Sequence, residues 1–399
     1  MKALRKYLDK IKPNFQKGGK LHKFHSTFDA LETFLYVPNK VTHVGAHIRD
    51  AVDMKRTMII VVMALVPTLL FGMWNVGFQY YKSIGQDPGF WSVFFFGFLK
   101  VLPIVIVSYV AGLTVEFIFA QFRGHEVNEG FLVSGMLIPL TLPPNIPLWM
   151  VAIATIFAVI FGKEVFGGTG MNIFNPALLA RAFLFFAYPA QMSGDLVWTA
   201  DLIGNKMLVD GFSGATSLSL AAAASIEPNL SKATEIIHKI PDIWTLFVGT
   251  IPGSIGETSK LAILIGAGIL AFTGIASLRI MLSAVVGGLT MAYIFNLAGS
   301  NVYMQLPPYQ HLLMGGFLFA VVFMATDPVS AAQTPTGKII YGFLVGMFSI
   351  LIRVINPAYP EGAMLAVLFM NCFAPLIDHY VVESHIKRRL KRAKQKSIA

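Results

Sequence analysis

Along most of the 399 residues, apolar runs alternate with short polar turns. A helix crossing a hydrocarbon core about 30 Å thick needs roughly 20 apolar residues, and fewer where it is broken. The runs at 57–78 and 90–122 predict the first two spans, the second long and tilted. A short run at 130–142 stops at Leu142-Pro143-Pro144. It is followed by 149–161 and by another short run at 176–188. Residues 191–258 form the longest stretch without a span. Apolar runs resume at 261–273, 278–298, 312–325, 339–355 and 362–377. The pattern predicts an all-α, polytopic integral membrane protein of about ten transmembrane helices. It divides into an N-terminal segment 1–56, a transmembrane domain 57–378 carrying the large loop 191–258, and a tail 379–399. The first segment has no apolar run of signal-peptide length. Within it, Leu4, Tyr7, Leu8 and Ile11 fall on one helical face among basic residues. That is a helix lying on a membrane surface or a partner, or equally a solvated charged helix.

Composition sharpens this reading. Hydrophobic residues make up 55% and charged residues 13%, where a soluble domain has about 25% charged. That excludes a disordered chain and argues against a cytosolic enzyme. The net charge of +10 is uneven. Residues 1–56 hold 12 Lys/Arg against 5 Asp/Glu and residues 379–399 hold 7 against 1, so the body between is net acidic. Basic tails around an apolar body follow the positive-inside rule and imply no nucleic-acid partner. Ten spans put both termini on one side, the cytoplasm, and the loop 191–258 on the other. The two five-helix halves are then inverted relative to each other. Gly/Pro-broken segments recur in both, at 130–142 and 167–190, and at Asp327-Pro328 and Asn356-Pro357. Such broken helices build midplane sites in transport folds. The single cysteine, Cys372, excludes an internal disulfide and an iron–sulfur cluster held by this chain alone.

Three groups of residues can carry chemistry. In the outer loop, Asp210-Gly-Phe-Ser213-Gly214-Ala215-Thr216 leaves the backbone open to a planar ligand and offers hydroxyls, of which Thr216 can be esterified. The same string reads as a helix start with Ser213 as N-cap before residues 215–225. In the turn 163–176, Gly167, Gly168 and Gly170 precede Asn172 and Asn175, two amides able to face a heteroaromatic ring. Here Asn175 also reads as a helix cap ahead of Pro176. The acids inside or beside spans are Glu116, Glu164, Asp195, Asp327, Glu361 and Asp378. Acids in lipid are functional hypotheses by default, and their oxygens suit Na⁺ or a proton. Glu116 is the most buried-looking, Asp327 reads first as an N-cap, and Glu361 and Asp378 sit at span ends where water reaches. No metal site, Walker motif or HExxH pattern is present.

The strings Lys163-Glu-Val-Phe-Gly-Gly-Thr-Gly170, Asn175-Pro-Ala, Arg181-Ala-Phe-Leu-Phe-Phe-Ala-Tyr-Pro-Ala190, Ser213-Gly-Ala-Thr216, Ile251-Pro-Gly-Ser-Ile-Gly-Glu257, Met324-Ala-Thr-Asp-Pro-Val-Ser330 and Arg353-Val-Ile-Asn-Pro-Ala-Tyr-Pro-Glu-Gly362 together resemble the B subunit of the bacterial sodium-translocating NADH:quinone reductase. The resemblance runs over nearly the whole chain. The D subunit of the related RNF complex shares the Ser-Gly-Ala-Thr element and is the alternative. A cofactor-free secondary transporter is a further alternative. The resemblance implies FMN joined by a phosphoester to Thr216 by a periplasmic flavin transferase, with Asp210, Ser213, Gly214 and Ala215 as the motif around it. It implies riboflavin near Asn172 and Asn175, and a Na⁺ pathway involving Glu116, Asp327 and Asp378. It places a ubiquinone site at Ala111-Gly112, where the family has a Gly pair. Electrons from NADH would pass through the flavins to ubiquinone, with the other subunits of a six-subunit assembly supplying NADH oxidation and iron–sulfur centres.

Overall fold

The computed structural model describes residues 2–15, 54–123, 130–201, 212–357 and 359–398, with isolated positions between 19 and 48. Among the described residues the regular elements are all helical. Helix α1 is Lys2–Ile11, the predicted basic helix. Helices α2 (Met54–Ser83) and α3 (Phe90–Arg123) are the first two spans. Helix α4 (Phe131–Leu140) is short, and α5 (Leu148–Val159) runs on as a π-helical turn, Ile160–Glu164. Helix α6 is Pro176–Ala187. The large loop folds into α7 (Ser217–Ile226), α8 (Leu230–His238) and α9 (Ile243–Val248). Helices α10 (Lys260–Phe272) and α11 (Leu278–Ala298) follow. Helix α12 (Pro308–Leu313) is separated by Met314–Gly316 from α13 (Phe317–Phe319), which continues as the π turn Ala320–Met324. Helices α14 (Pro335–Ile355) and α15 (Ala363–Ile398) end the chain.

Five of these helices are each long and apolar enough to cross a bilayer. The other five predicted spans appear as the shorter α4, α5, α6, α10 and α13. The chain is a membrane-embedded, polytopic, all-helical protein. Two predicted segments differ in extent. The run 312–325 is not one helix, because the glycines Gly315 (φ +62°) and Gly316 interrupt it. The last helix does not stop at 378 but continues through the basic tail, which has good helix formers and no Gly or Pro after Pro375.

The two halves repeat their packing. Helix α3 lies on α5 as α11 lies on α14, α5 on α6 as α14 on α15, and α2 on α4 as α10 on α13. Across the halves, α2 meets α10 and α6 meets α15. The match is incomplete, since α2 packs along α3 more closely than α10 along α11.

Without water in the bilayer, a broken helix must find other partners for its backbone. The end of α4 does so on the segment before α10: Ile255 N donates to Leu142 O (3.1 Å) and Gly256 N to Leu140 O (2.7 Å). Small residues let spans touch backbone to backbone. A Cβ on Gly346 of α14 would lie 1.9 Å from Ala284 O of α11, and one on Gly287 of α11 would lie 2.0 Å from Phe343 O. Gly346→Ala is therefore expected to push α11 and α14 apart and abolish recovery of monodisperse protein by size exclusion. Gly268→Ala, on an exposed position open to space, is expected to leave recovery unchanged.

Candidate functional site

Thr216 is the N-cap of α7, in extended backbone conformation, and its Oγ1 accepts from Ser219 N (3.1 Å). The cap is thus Thr216, not Ser213, and the helix begins at Ser217 rather than at Ala215. The Ser213 hydroxyl instead accepts from Ala215 N (3.2 Å), tightening the turn ahead of the helix. Gly214 is needed there, because a Cβ would lie 2.1 Å from Asp195 O. Asp210 lies outside the described residues. Two hydroxyls next to the motif, Thr199 Oγ1 and Ser217 Oγ, are buried without a hydrogen-bond partner among the described residues. A half-exposed hydroxyl thus sits at a helix N-terminus, where free N–H groups and the helix dipole favour negative charge. Buried hydroxyls with unmet capacity lie beside it. These residues fit an attached phosphate ester.

The second site is a cleft with about 100 Å³ open to water-sized groups, smaller than the usual small-molecule site. It brings together Lys163 from the π turn of α5, Asn172 and Asn175 ahead of α6, Ser134 of α4, and Phe323 and Asp327 at the end of α13. The starts of α4 and α6 and the ends of α5, α10 and α13 meet there, as an alternating count of ten spans requires. Gly167, Gly168 and Gly170 take φ of +121°, +98° and +89° in the approach to Asn172, conformations suited to glycine. Asn175 caps α6, accepting from Ala177 N (3.0 Å) and Leu178 N (3.4 Å). Asn172 Nδ2 donates to Phe174 O (3.0 Å). Asp327 is not the N-cap of a helix. It closes a turn, accepting from Val329 N (3.2 Å) and the Ser330 hydroxyl (2.8 Å), and Thr334 caps α14 instead. The cleft combines apolar walls with amides that can donate and accept, which fits a flat heteroaromatic ring.

Glu116 on α3 is buried and ion-paired with buried Lys163, a cleft residue. The adjacent Glu164 is held by Arg123, which donates to its carboxylate (3.2 Å) and to its carbonyl (2.6 Å). The π turn places consecutive Lys163 and Glu164 against α3, so both charges are met inside the protein. Asp378 on α15 does not line the cleft. It accepts from Gln333 N (2.6 Å), Thr334 N (3.0 Å) and the Thr334 hydroxyl (2.5 Å), fastening α15 to the start of α14. Beside Ala111, Gly112 is backed by the ring of Phe131, whose Cζ lies 1.9 Å from where its Cβ would be. The glycine admits that ring into the face of α3.

The sequence reading passed over a further buried network. Arg181 on α6 donates to Thr141 O (2.5 Å), the Ser254 hydroxyl (3.3 Å) and Glu257 Oε1 (2.5 Å), and is ion-paired with Glu361. It ties the broken end of α4 to the segments entering α10 and α15. Lys260 donates to the carbonyls of Glu257 (2.8 Å), Thr258 (3.2 Å) and Gly315 (3.0 Å), joining the starts of α10 and α13. Arg353 on α14 donates to His311 O (2.6 Å). The signal was there: Arg181, Lys260 and Arg353 are isolated cations in or beside apolar runs, and such cations are as costly there as the acids.

A family model described as NQR2, RnfD, RnfE family matches residues 41–387. The B subunit of the Na(+)-translocating NADH-quinone reductase of Ectopseudomonas mendocina is 50% identical over 415 aligned residues, covering 98% of this chain and 99% of the relative. The protein of the same name in Stutzerimonas stutzeri is 49% identical with the same coverage. That of Chromohalobacter salexigens is 48% identical over 413 residues, covering 98% and 97%.

Proposed function

Because the chain belongs to the NQR2, RnfD, RnfE family, we propose that it is the B-type membrane subunit of a sodium-translocating NADH:quinone reductase. The observation that carries this reading is similarity at about half identity over nearly the full length of both chains. The same coverage favours it over the D-type subunit of an RNF complex. The test is NADH-driven ubiquinone reduction by the purified complex containing this chain. Stimulation of the rate by Na⁺ is expected, and a Na⁺-independent rate would overturn the reading.

Within that function, Thr216 carries FMN through a phosphoester made by a periplasmic flavin transferase. The N–H groups opening α7 face the ester, and the Ser217 and Thr199 hydroxyls supply further hydrogen bonds. Riboflavin would be held at the cleft by Asn172 and Asn175. A bound flavin accepts and passes on electrons; the chain supplies position and electrostatics. The two sites lie toward opposite ends of α6, a helix of 12 residues and so about 18 Å long. The other subunits of a six-subunit assembly contribute NADH oxidation and iron–sulfur centres. The membrane is the bacterial inner membrane, with both termini cytoplasmic and the α7–α9 region outside.

Sodium enters by way of Glu116, with Asp327 and Asp378 along its route. The Glu116–Lys163 pair is the link to the cleft, because Lys163 faces both. With Na⁺ on the carboxylate, the Lys163 ammonium would be free to turn toward the cleft. Glu116→Gln is expected to raise the Na⁺ concentration for half-maximal quinone reduction by about tenfold, or 1.4 kcal/mol. The double variant Glu116→Gln/Lys163→Met separates a lost ligand from a stranded lysine. If its Na⁺ dependence returns to that of the parent, Glu116 is not on the route.

A further inference from the structure

Arg353 is fully buried on α14. One of its nitrogens donates to His311 O, but Nε and Nη2 have no partner among the described residues. His311 is itself fully buried, and neither ring nitrogen has a partner among the described residues. Its ring stacks on Tyr303, with centroids 5.4 Å apart, and the Tyr303 hydroxyl is likewise buried and without a partner. The surrounding charges answer Arg353 only in part: Glu257 is close enough to act on it but is ion-paired with Arg181. Glu257 and Glu361 are both held by Arg181, while Lys260 donates to three carbonyls. Three cations therefore share two carboxylates.

The gap between α12 and α13 keeps side chains out of this place. A Cβ on Gly316 would lie 2.5 Å from the Glu257 carboxylate. One on Gly315 would lie 2.3 Å from Leu218 and 3.7 Å from Arg353 Nη2. The guanidinium edge, the phenol and one imidazole N–H are donors in search of an acceptor. The unmet acceptors nearby are still fewer: the other imidazole nitrogen, the phenol oxygen and Gln310 Oε1. Water would serve donors and acceptors alike and leave the positive charge standing. An uncompensated buried charge is costly, and an anion removes both deficits at once.

We propose that Arg353, His311 and Tyr303 form a site for a small monovalent anion of the chloride type, enclosed at the break between α12 and α13. The anion pins the broken entry of α13 to α14. Through the contact of Leu218 with Gly315, that entry also supports α7, the helix capped by Thr216.

The test uses the assembled complex prepared in sodium bromide. An anomalous bromine peak is expected within hydrogen-bonding reach of Arg353 Nε and Nη2 and the Tyr303 hydroxyl. In sodium gluconate, titration with chloride is expected to raise the melting temperature. Tyr303→Phe should weaken that dependence about tenfold or more, the effect of one hydrogen bond to a charged group, and Arg353→Met should abolish it. If Arg353→Met does not assemble, Tyr303→Phe carries the comparison alone. Absence of the bromine peak, melting indifferent to halide, or a halide dependence unchanged in Tyr303→Phe would each overturn the proposal.

Discussion

Thr216→Ala is expected to leave the chain with no covalently bound flavin: a band that fluoresces on a denaturing gel in the parent should be dark in the variant. The hydroxyl is the only atom through which the proposed phosphoester can form at this residue, so the loss should be complete. The same oxygen caps α7 by accepting from Ser219 N, and removing a cap costs about 1 kcal/mol. Thr216→Asn resolves the ambiguity, because asparagine caps a helix about as well as threonine but has no hydroxyl to esterify. It should fold like the parent and still be dark. Thr216→Ser, which keeps both properties, should retain a fluorescent band. A parent chain that is dark when made in cells containing the transferase would refute attachment at Thr216.

Arg181→Met is expected to lower the melting temperature of the detergent-solubilised protein more than any conservative change on the lipid-facing surface. Arg181 is almost fully buried and meets Glu257, Glu361, Ser254 and Thr141 together. Its removal strands two carboxylates, and breaking a buried pair costs about 3–5 kcal/mol. Arg181→Lys should recover little, since one ammonium cannot reproduce a planar fork that reaches several acceptors. Combining Arg181→Met with Glu257→Gln and Glu361→Gln should recover much of the loss, because neutral amides tolerate burial where carboxylates do not. A triple variant no more stable than Arg181→Met would mean that the carboxylates are not what the arginine compensates.

The hydropathy pattern located all ten apolar segments because each follows from composition over a dozen or more residues. The stop at Leu142-Pro143-Pro144 was equally legible, since proline lacks the N–H that a helix needs. The interruption at Gly315-Gly316 was not. Those glycines sit among Leu, Met and Phe, and the carboxylate and leucine they make room for come from distant parts of the chain. At the site, the sequence pairs Asn172 with Asn175 but leaves Asp327 apart from them, and the structure brings all three into one cleft. Asp378 was chosen as an acid beside a span, but the turn it fastens lies far away in the sequence. The partners of Arg181 and Lys260 were hidden for the same reason: such contacts join segments that hydropathy treats independently. The role of Thr216 as a cap was obscured locally, because Ser213, Thr216 and Ser217 are all residue types that open helices.

Helix α15 contains 36 residues and so measures about 54 Å, against a hydrocarbon core of about 30 Å. Roughly 20 Å of it stands clear of the bilayer as an unbroken basic rod. Because rod and span are one helix, a small change of tilt inside the membrane becomes a sideways sweep at the far tip, enlarged in proportion to the overhang. The joint to α14 through Asp378 lies near the level where the rod emerges, at the fulcrum of such a lever. A partner gripping the tip would sense rearrangements in the bundle as displacement, and force applied there would return to the Asp378–Thr334 joint with mechanical advantage.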